Sequence, residues 1–197
     1  MLIIAVTDRT QSIRPLPEQA RLIATAGADM VVLREKDLPD RDLIPLAASV
    51  KDVCDESGAR FCIDGSVSAA RAVRADTVWL PFDIFKKGKP EFDTVGTSIH
   101  SEHEGLEAER LGADFLVYGN VYETSCKPGK PAKGLSEMRR LIGRVDVPVY
   151  AIGGIGPGNV AEVRDAGASG ACLMSGLMTA KDPASTMGNL RRSLRYG

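Results

Sequence analysis

Two small turns near the end of the chain carry the strongest chemical signal in the sequence. Gly153 and Gly154 form one turn, and Ser175 and Gly176 form the other, each directly after an apolar run. Turns without bulky side chains let main-chain N–H groups approach an anion, and a helix that starts there adds further donors. Paired glycines also serve a plain tight turn, but the two turns together predict a phosphate-binding site.

Basic side chains form a second set of candidates for binding an anionic substrate. Arg34 and Lys36 alternate along one segment, so they lie on the same face of a strand, where two cations suit a carboxylate or a diphosphate. The alternative is an ordinary ion pair with a neighbouring loop. Lys127 lies in the long polar segment 118–136, which is either an active-site loop that brings this cation over a bound anion or a plain surface loop.

The chain has two histidines, and one of them is placed to transfer a proton at the same site. His100 comes just after an apolar run, whereas His103 lies in a charged helix-like segment and is expected to contact solvent. Because imidazole titrates near neutrality, His100 is a candidate general acid or base, with Ser98 beside it as a substrate-binding hydroxyl. A purely structural hydrogen bond from His100 is an equally good interpretation.

An internal repeat indicates the elements that position these residues. Four times, a helix-like segment ends in a small turn, usually with glycine, and continues directly into an apolar strand. The copies span residues 26–35, 73–82, 111–120 and 166–176. Four further strands are predicted at residues 2–6, 60–63, 94–98 and 147–152.

Strict alternation of eight strands with helical segments predicts a parallel sheet with crossover helices. Units of about 25 residues suit a single compact (β/α)₈ TIM barrel over residues 1–197, with the candidate residues at the carboxyl ends of its strands. The alternative is an open doubly wound sheet. That fold usually has fewer strands and a glycine-rich turn after the first strand, where this chain has Thr7, Asp8 and Arg9.

Composition and charge narrow the classes of partner. The 197 residues include 25 Lys and Arg against 26 Asp and Glu, so the chain lacks the basic excess expected of a nucleic-acid-binding protein. No apolar stretch is long enough to span a bilayer, and the N-terminus is not expected to be a signal peptide. The four cysteines form no C-x-x-C pair, which predicts free thiols, mostly buried, in a cytoplasmic protein.

Segments along nearly the whole chain resemble the thiamine phosphate synthase and TenI-type thiazole tautomerase superfamily. They read, in order, AVTD, VVLREK, GTSIHS, YGNVYETSCK, KGLS, VPVYAIGGI and GASGACLMSGL. The resemblance implies a barrel fold and a role in making or handling the thiazole moiety of thiamine. It also implies a small-molecule thiazole phosphate as the ligand and a homo-oligomer as the assembly.

Departures from the synthase pattern concern its metal site. The resemblance implies Asn-Asp after the third strand, where the Asp helps to hold Mg²⁺ on a pyrimidine diphosphate, and this chain has Asp64 and Gly65. A second metal-binding Asp is implied after the fourth strand, where the chain has Ile84, with Asp83 one position early. Mg²⁺ requires oxygen ligands, so the pattern favours a protein without a cofactor, with Mg²⁺ expected only for a synthase.

The tautomerase branch is more similar at these positions. Its Asn-Gly, Leu-Pro and ETxCK features resemble residues 64–65, 80–81 and 123–127. The histidine that transfers the proton in that branch aligns with Asn120, whose neutral amide is neither an acid nor a base at pH 7. Asn120 therefore marks the implied catalytic position, and other groups are candidates to carry the proton. These candidates are His100, Asp64 and Glu123.

The sequence leaves four functions open, of which the first is the preferred interpretation. It is a thiazole tautomerase, an isomerase that moves a proton between carbon atoms and so aromatises a carboxylated thiazole phosphate. The second is a thiamine phosphate synthase that joins thiazole phosphate to hydroxymethylpyrimidine diphosphate. The third is a non-catalytic ligand-binding or regulatory homologue. The fourth, an unrelated phosphate-sugar isomerase barrel, rests on analogy of fold alone.

Overall fold

Eight parallel strands close into a barrel in the computed structural model, which describes residues 1–124, 126, 129 and 131–197. The strands are β1 (Leu2–Val6), β2 (Met30–Leu33), β3 (Arg60–Asp64), β4 (Thr77–Pro81), β5 (Thr94–Ile99), β6 (Phe115–Gly119), β7 (Val149–Ile152) and β8 (Gly170–Leu173). Each strand pairs with the next, and β8 pairs with β1. The predicted TIM barrel is confirmed, and the open sheet is wrong.

Helices connect the strands and cover the outside of the barrel. They are α1 (Leu16–Thr25), α2 (Asp40–Ser57), α3 (Val67–Ala72), α4 (Phe82–Phe85), α5 (Glu102–Arg110), α6 (Gly134–Ile142), α7 (Val160–Asp165), α8 (Ser175–Met178) and α9 (Pro183–Tyr196). Among the described residues, every helix is too short or too polar to cross a lipid bilayer.

The strands are apolar on both faces because each lies between the barrel interior and the helices. In β1, Ile3 and Ala5 pack in the outer layer with the helices, while Ile4 and Val6 point into the barrel. This two-sided burial is why the strands appear in the sequence as continuous apolar runs. The interior side chains fill the barrel toward the amino ends of its strands. A cavity opens at the carboxyl ends.

The repeated turn has the left-handed backbone that its glycines predict. Gly27, Gly112 and Gly167 have φ values of +98°, +86° and +94°, which glycine adopts without the clash that a Cβ causes. The second copy has Arg74 at this position, and its φ is also positive, at +54°. The shared geometry reverses the chain between each helix and the following strand.

Three strand boundaries differ from the sequence prediction, and the two at carboxyl ends affect the site. β5 ends at Ile99, one residue later than predicted and directly before His100. β3 extends one residue further than predicted, so Asp64 is the last residue of the strand and its position is fixed by the sheet. β7 begins at Val149, two residues later than predicted, because Pro148 has no N–H group to donate to a neighbouring strand.

Candidate functional site

A cavity of about 490 Å³ opens at the carboxyl ends of the strands, a volume suited to a small organic ligand. Its walls include Trp79, Val117, Ile152 and Cys172 from four different strands. The predicted site residues among the described part of the chain line this cavity, with the exception of Glu123, a candidate to carry the proton. Those that line it are Arg34, Lys36, Asp64, Ser98, His100, Asn120, Gly153, Gly154, Ser175 and Gly176. Lys127 lies outside the described residues.

The turns after β7 and β8 lie side by side because the two strands pair, with Ile152 opposite Cys172. The backbone N–H groups of Gly154, Ser175 and Gly176 donate to no other described residue. A Cβ built on Gly176 would meet no atom within 4 Å, so this backbone faces open space at the start of α8. These two turns therefore present main-chain donors to the cavity without any side chain in the way.

The glycines after β7 also let another part of the backbone approach closely. Gly153 and Gly154 have φ values of +104° and +66°. A Cβ on Gly153 would come within 2.5 Å of the Asn120 Cβ, and one on Gly154 would collide with the carbonyl oxygen of Glu123. The N–H group of Tyr122 donates to the carbonyl oxygen of Gly153 (3.1 Å). The turn thus leaves the backbone N–H group of Gly154 exposed, and its lack of side chains allows the chain after β6 to pack closely against it.

A buried carboxylate orients the basic residues after β2. The Thr7 hydroxyl donates to Oε1 of Glu35 (2.7 Å), and the backbone N–H group of Arg9 donates to the same oxygen (3.0 Å). Thr7 Oγ1 in turn accepts from the backbone N–H group of Arg34 (2.9 Å). Because Glu35 is held beneath the β1–α1 loop, the alternating side chains of Arg34 and Lys36 turn toward the cavity.

Arg34 forms an ion pair with the carboxylate at the end of β3. Its Nε lies 3.2 Å from Oδ2 of Asp64, whose side chain is only 5% exposed. Burial raises the pKa of the Asp64 carboxyl, and the positive charges of Arg34 and Lys36 oppose that shift. The sequence offered an ion pair with a neighbouring loop as the alternative to ligand binding. The partner is instead the last residue of strand β3, and Arg34 also lines the cavity.

His100 has a hydrogen bond that determines which of its ring nitrogens carries the proton. Nδ1 lies 2.7 Å from the carbonyl oxygen of Gly119, and since a carbonyl only accepts, Nδ1 is the donor. In the neutral ring Nε2 is then left with its lone pair, as a general base requires. The backbone N–H group of His100 donates to Oε2 of Glu104 (2.6 Å), which fixes the start of α5.

Ser98 and Asn120 present polar groups deeper in the cavity. Ser98 Oγ accepts from the indole Nε1 of Trp79 (2.7 Å), which leaves the hydroxyl hydrogen of Ser98 to donate to a ligand. Asn120 is buried, and its Nδ2 donates to the carbonyl oxygen of Tyr122 (3.2 Å). Neither residue is an acid or a base at neutral pH, so both can only orient a ligand.

The residues that line the cavity without having been predicted include three long polar side chains, those of Gln11, Lys86 and Glu104. The position of Glu104 could have been predicted, because Ser101 and Glu104 have the spacing of a capping box. In the structure Ser101 Oγ accepts from the Glu104 N–H group (3.2 Å). Gln11 and Lys86 follow no such pattern, because they reach the cavity through the path of the β1–α1 loop and the end of α4.

The acidic residues of the cavity do not form a Mg²⁺ site. Of the four acidic residues that line the cavity, Asp64 is paired with Arg34, Glu104 accepts from the His100 backbone, Asp8 accepts from Thr10 and Gln11, and Asp83 is exposed at the start of α4. The two positions implied for metal binding hold Gly65, which has no side chain, and Ile84, which is apolar. Within the described ranges, no three acidic, histidine or cysteine side chains are grouped so that they share an ion. The residues present therefore do not fit the metal of the synthase pattern.

The cysteines offer no activated nucleophile among the buried positions. Cys54, Cys62 and Cys172 are buried free thiols, as predicted, and Cys126 is an exposed one. Burial raises the pKa of the Cys172 thiol, which lines the cavity, so this sulfur stays protonated near neutral pH.

Comparison with known proteins identifies relatives over nearly the whole chain. Residues 3–177 match the family model described as thiamine monophosphate synthase. The thiamine-phosphate synthase of Pyrococcus furiosus is 34% identical over 95% of this chain and 91% of its own length. That of Moorella thermoacetica is 33% identical over 96% and 93%.

Solved structures agree with these matches. The structure of thiamine phosphate pyrophosphorylase from Pyrococcus furiosus superposes with a TM-score of 0.87 at 32% identity, covering 98% of this chain and 95% of the other. A 3-hexulose-6-phosphate synthase with a TM-score of 0.70 is only 19% identical and shows the fold alone. The synthase relatives support the transferase alternative better than the tautomerase interpretation of the sequence. The chain belongs to the thiamine monophosphate synthase family.

Proposed function

We propose that this protein is a thiamine phosphate synthase, a transferase that joins thiazole phosphate to hydroxymethylpyrimidine diphosphate at the mouth of the barrel. The observation that carries the proposal is the identity of 32–34% with proteins named for this activity, over 95% or more of the chain for two of them. The cavity supports it, because its polar groups fall into two sets suited to two phosphate-bearing substrates.

The thiazole phosphate is assigned to the turns after β7 and β8. The N–H groups of Gly154, Ser175 and Gly176 donate to its phosphate oxygens, and the dipole of the backbone at the start of α8 favours the negative charge. Main-chain donors are already oriented before the ligand arrives, so binding costs little ordering. The Ser98 hydroxyl, oriented by Trp79, then has its hydrogen available for the ring of the ligand.

The pyrimidine diphosphate is assigned to the opposite side of the cavity, beside Arg34 and Lys36. Diphosphate is the leaving group of the coupling reaction, and its negative charge grows as the bond to carbon breaks. Cations fixed next to that group stabilise the transition state more than the ground state. The Thr7 hydroxyl fixes the backbone of Arg34, and Asp64 holds its guanidinium before the substrate binds.

The coupling reaction is tested with the purified protein and both substrates, with thiamine phosphate measured after oxidation to its fluorescent thiochrome. We expect product at a rate well above that of the substrates in buffer. A matched protein with Gly176→Asp should form little product, because the added carboxylate repels the phosphate. An absence of product from the unmodified protein, in the presence and absence of Mg²⁺, would remove the synthase proposal.

A second candidate, the thiazole tautomerase, is favoured by one specific observation. Asp64 is a buried carboxyl with a raised pKa in the cavity, and His100 presents Nε2 as a base, so two groups suited to proton transfer face the same space. Asn120 stands at the catalytic position implied by the resemblance and orients the ring instead. This arrangement needs no metal, in keeping with Gly65 and Ile84.

The tautomerase candidate is separated from the synthase by its own substrate. The carboxylated thiazole phosphate tautomer is incubated with the protein, and the aromatic product is followed by its ultraviolet absorbance. Acceleration over buffer that is lost in Asp64→Asn or His100→Gln supports the isomerase. Tight binding of the product by calorimetry, with no acceleration in either assay, would instead assign the protein to ligand binding without catalysis.

A further inference from the structure

The side of the cavity next to β2, β3 and β4 lacks the carboxylates that the family resemblance implies for a metal. Gly65 has a φ of +92°, which a residue with a Cβ adopts only with strain, so this backbone is built for glycine. Ile84 is 41% exposed and brings an apolar side chain to the outer end of β4. Neither position supplies an oxygen ligand from its side chain.

Two carboxylates line this side of the cavity, the exposed Asp83 at the start of α4 and the buried Asp64, and Asp64 already has a cation beside it. Asp64 Oδ2 lies 3.2 Å from Arg34 Nε, and Lys36 adds a second positive charge close enough to affect the same carboxyl. A divalent ion placed on Asp64 would be repelled by both side chains. Glu35 and Thr7 hold the backbone of this segment, since Thr7 Oγ1 accepts from the Arg34 N–H group, and the guanidinium itself is held by Asp64.

We propose that Arg34 and Lys36 supply the positive charge that a divalent cation would otherwise bring to a diphosphate group, so that this side of the cavity binds a diphosphate without metal. Asp64 acts as a positioning residue, because it holds the guanidinium at the edge of the cavity. The inference rests on the proposed function for the identity of the ligand. It adds which side chains balance the negative charge of that ligand.

Inorganic pyrophosphate is the probe, because it is the diphosphate group that coupling releases and cannot itself be coupled. Its dissociation constant is measured by calorimetry in EDTA and again with Mg²⁺, with correction for the magnesium that pyrophosphate binds in solution. We expect binding in EDTA of the same affinity as with Mg²⁺. Binding that appears only after Mg²⁺ is added, or no binding under either condition, overturns the inference.

Manganese provides a readout that is independent of affinity for the anion. The electron paramagnetic resonance signal of Mn²⁺ is recorded with pyrophosphate alone and with pyrophosphate plus protein. We expect the fraction of bound Mn²⁺ to stay the same or to fall, because pyrophosphate held by the protein is withdrawn from Mn²⁺. Tighter Mn²⁺ binding in the ternary mixture would show a metal site at the anion and would contradict the assignment to Arg34 and Lys36.

Charge-removing variants test which side chains hold the anion. Lys36→Gln leaves the Arg34–Asp64 pair intact, and we expect it to raise the pyrophosphate dissociation constant by roughly tenfold. The double variant Arg34→Gln/Asp64→Asn removes the guanidinium without leaving a buried charge unpaired and should weaken binding at least as much. The matched control is Lys87→Gln, whose side chain is exposed and lies outside the cavity, and it should bind as the unmodified protein does.

The outcomes also separate this inference from the proposed reaction. Pyrophosphate binding in EDTA without any coupling activity supports the charge assignment and removes the synthase. Coupling that requires Mg²⁺, with unchanged affinity in Lys36→Gln, supports the synthase and removes the charge assignment.

Discussion

The two halves of the cavity present polar atoms by different means. After β7 and β8 the polar atoms are backbone N–H donors at glycine-containing turns. After β2, β3 and β5 they belong to side chains, which are held by other side chains or, for His100, by a backbone carbonyl. A main-chain site depends on the path of the backbone and tolerates sequence change nearby. A side-chain site changes its chemistry with one substitution, as Gly65, Ile84 and Asn120 illustrate.

This difference explains why a likeness to the synthases coexists with departures from their pattern. The half built from backbone keeps the features of a phosphate site, so it supports a ligand shared by both candidate reactions. The half built from side chains has an Arg34–Asp64 ion pair in place of a grouped set of carboxylates. The reaction type is therefore decided in the half where single residues matter most.

The largest expected effect belongs to the backbone half. Gly176→Asp places a carboxylate in open space beside the exposed N–H groups, and we expect the dissociation constant for thiazole phosphate to rise by roughly 100-fold, the equivalent of one or two lost charge-assisted hydrogen bonds. Calorimetry measures the affinity. Folding should be unaffected, because a Cβ at Gly176 meets no atom within 4 Å.

The control for this variant is Gly188→Asp on α9, where a Cβ also meets no atom within 4 Å and the residue does not line the cavity. It should bind thiazole phosphate as the unmodified protein does. Equal affinity in both variants would mean that the phosphate does not contact the turn after β8.

The next effect concerns stability in the side-chain half. Arg34→Gln leaves the Asp64 carboxylate buried without its partner, and we expect the free energy of unfolding to fall by about 2 kcal/mol at neutral pH, less than for a fully buried pair because Arg34 is partly exposed. Urea denaturation measures the change. Burial raises the pKa of Asp64, so its charged form is the penalised one, and lowering the pH should reduce the loss as the carboxyl protonates.

Asp64→Asn in the Arg34→Gln background provides the matched comparison, since it removes the unpaired charge. The double variant should recover much of the lost stability. If the double variant is no more stable than Arg34→Gln alone, the ion pair does not account for the effect.

A smaller effect is expected where the chain after β6 packs closely against the turn after β7. Gly153→Ala has an unfavourable positive φ and brings its Cβ within 2.5 Å of the Asn120 Cβ, so we expect a loss of about 1–2 kcal/mol in the free energy of unfolding. Gly156→Ala lies in the same loop with no atom within 4 Å of the added Cβ and should change stability little. Thermal denaturation of the two variants compares them, and equal melting temperatures would contradict the close approach.

Much of the architecture could be predicted because parallel strands buried on both faces appear as apolar runs at regular spacing. The glycine turns could also be predicted, because Gly153, Gly154 and Gly176 are recognisable in the sequence by residue type alone. The ion pair between Arg34 and Asp64 could not be predicted, because the two residues are 30 positions apart in the sequence. They meet through the register between β2 and β3. Gln11 and Lys86 were missed because they reach the cavity through the course of the loops that carry them. No local sequence pattern specifies that course.

The smallest effect is a difference in pH dependence between the two candidate reactions. If Asp64 transfers the proton, kcat/KM for the tautomer should fall toward low pH with a midpoint above the ordinary range of an aspartate, because burial raises its pKa and the base must be ionised. In the coupling reaction Asp64 only positions Arg34, so protonation of Asp64 should lower the coupling rate less than it lowers the rate of the tautomerase. The rate profile of the unmodified protein is compared with that of Asp64→Asn, and an unchanged acidic limb in the variant would exclude Asp64 as the base.

A crystal structure with bound thiazole phosphate tests the central claim most directly. The account predicts phosphate oxygens within roughly 2.7–3.2 Å of the backbone nitrogens of Gly154 and Gly176, with the ring toward Ser98 and His100. A phosphate bound instead by Arg34 and Lys36, with both glycine turns empty, would contradict the assignment of the two halves.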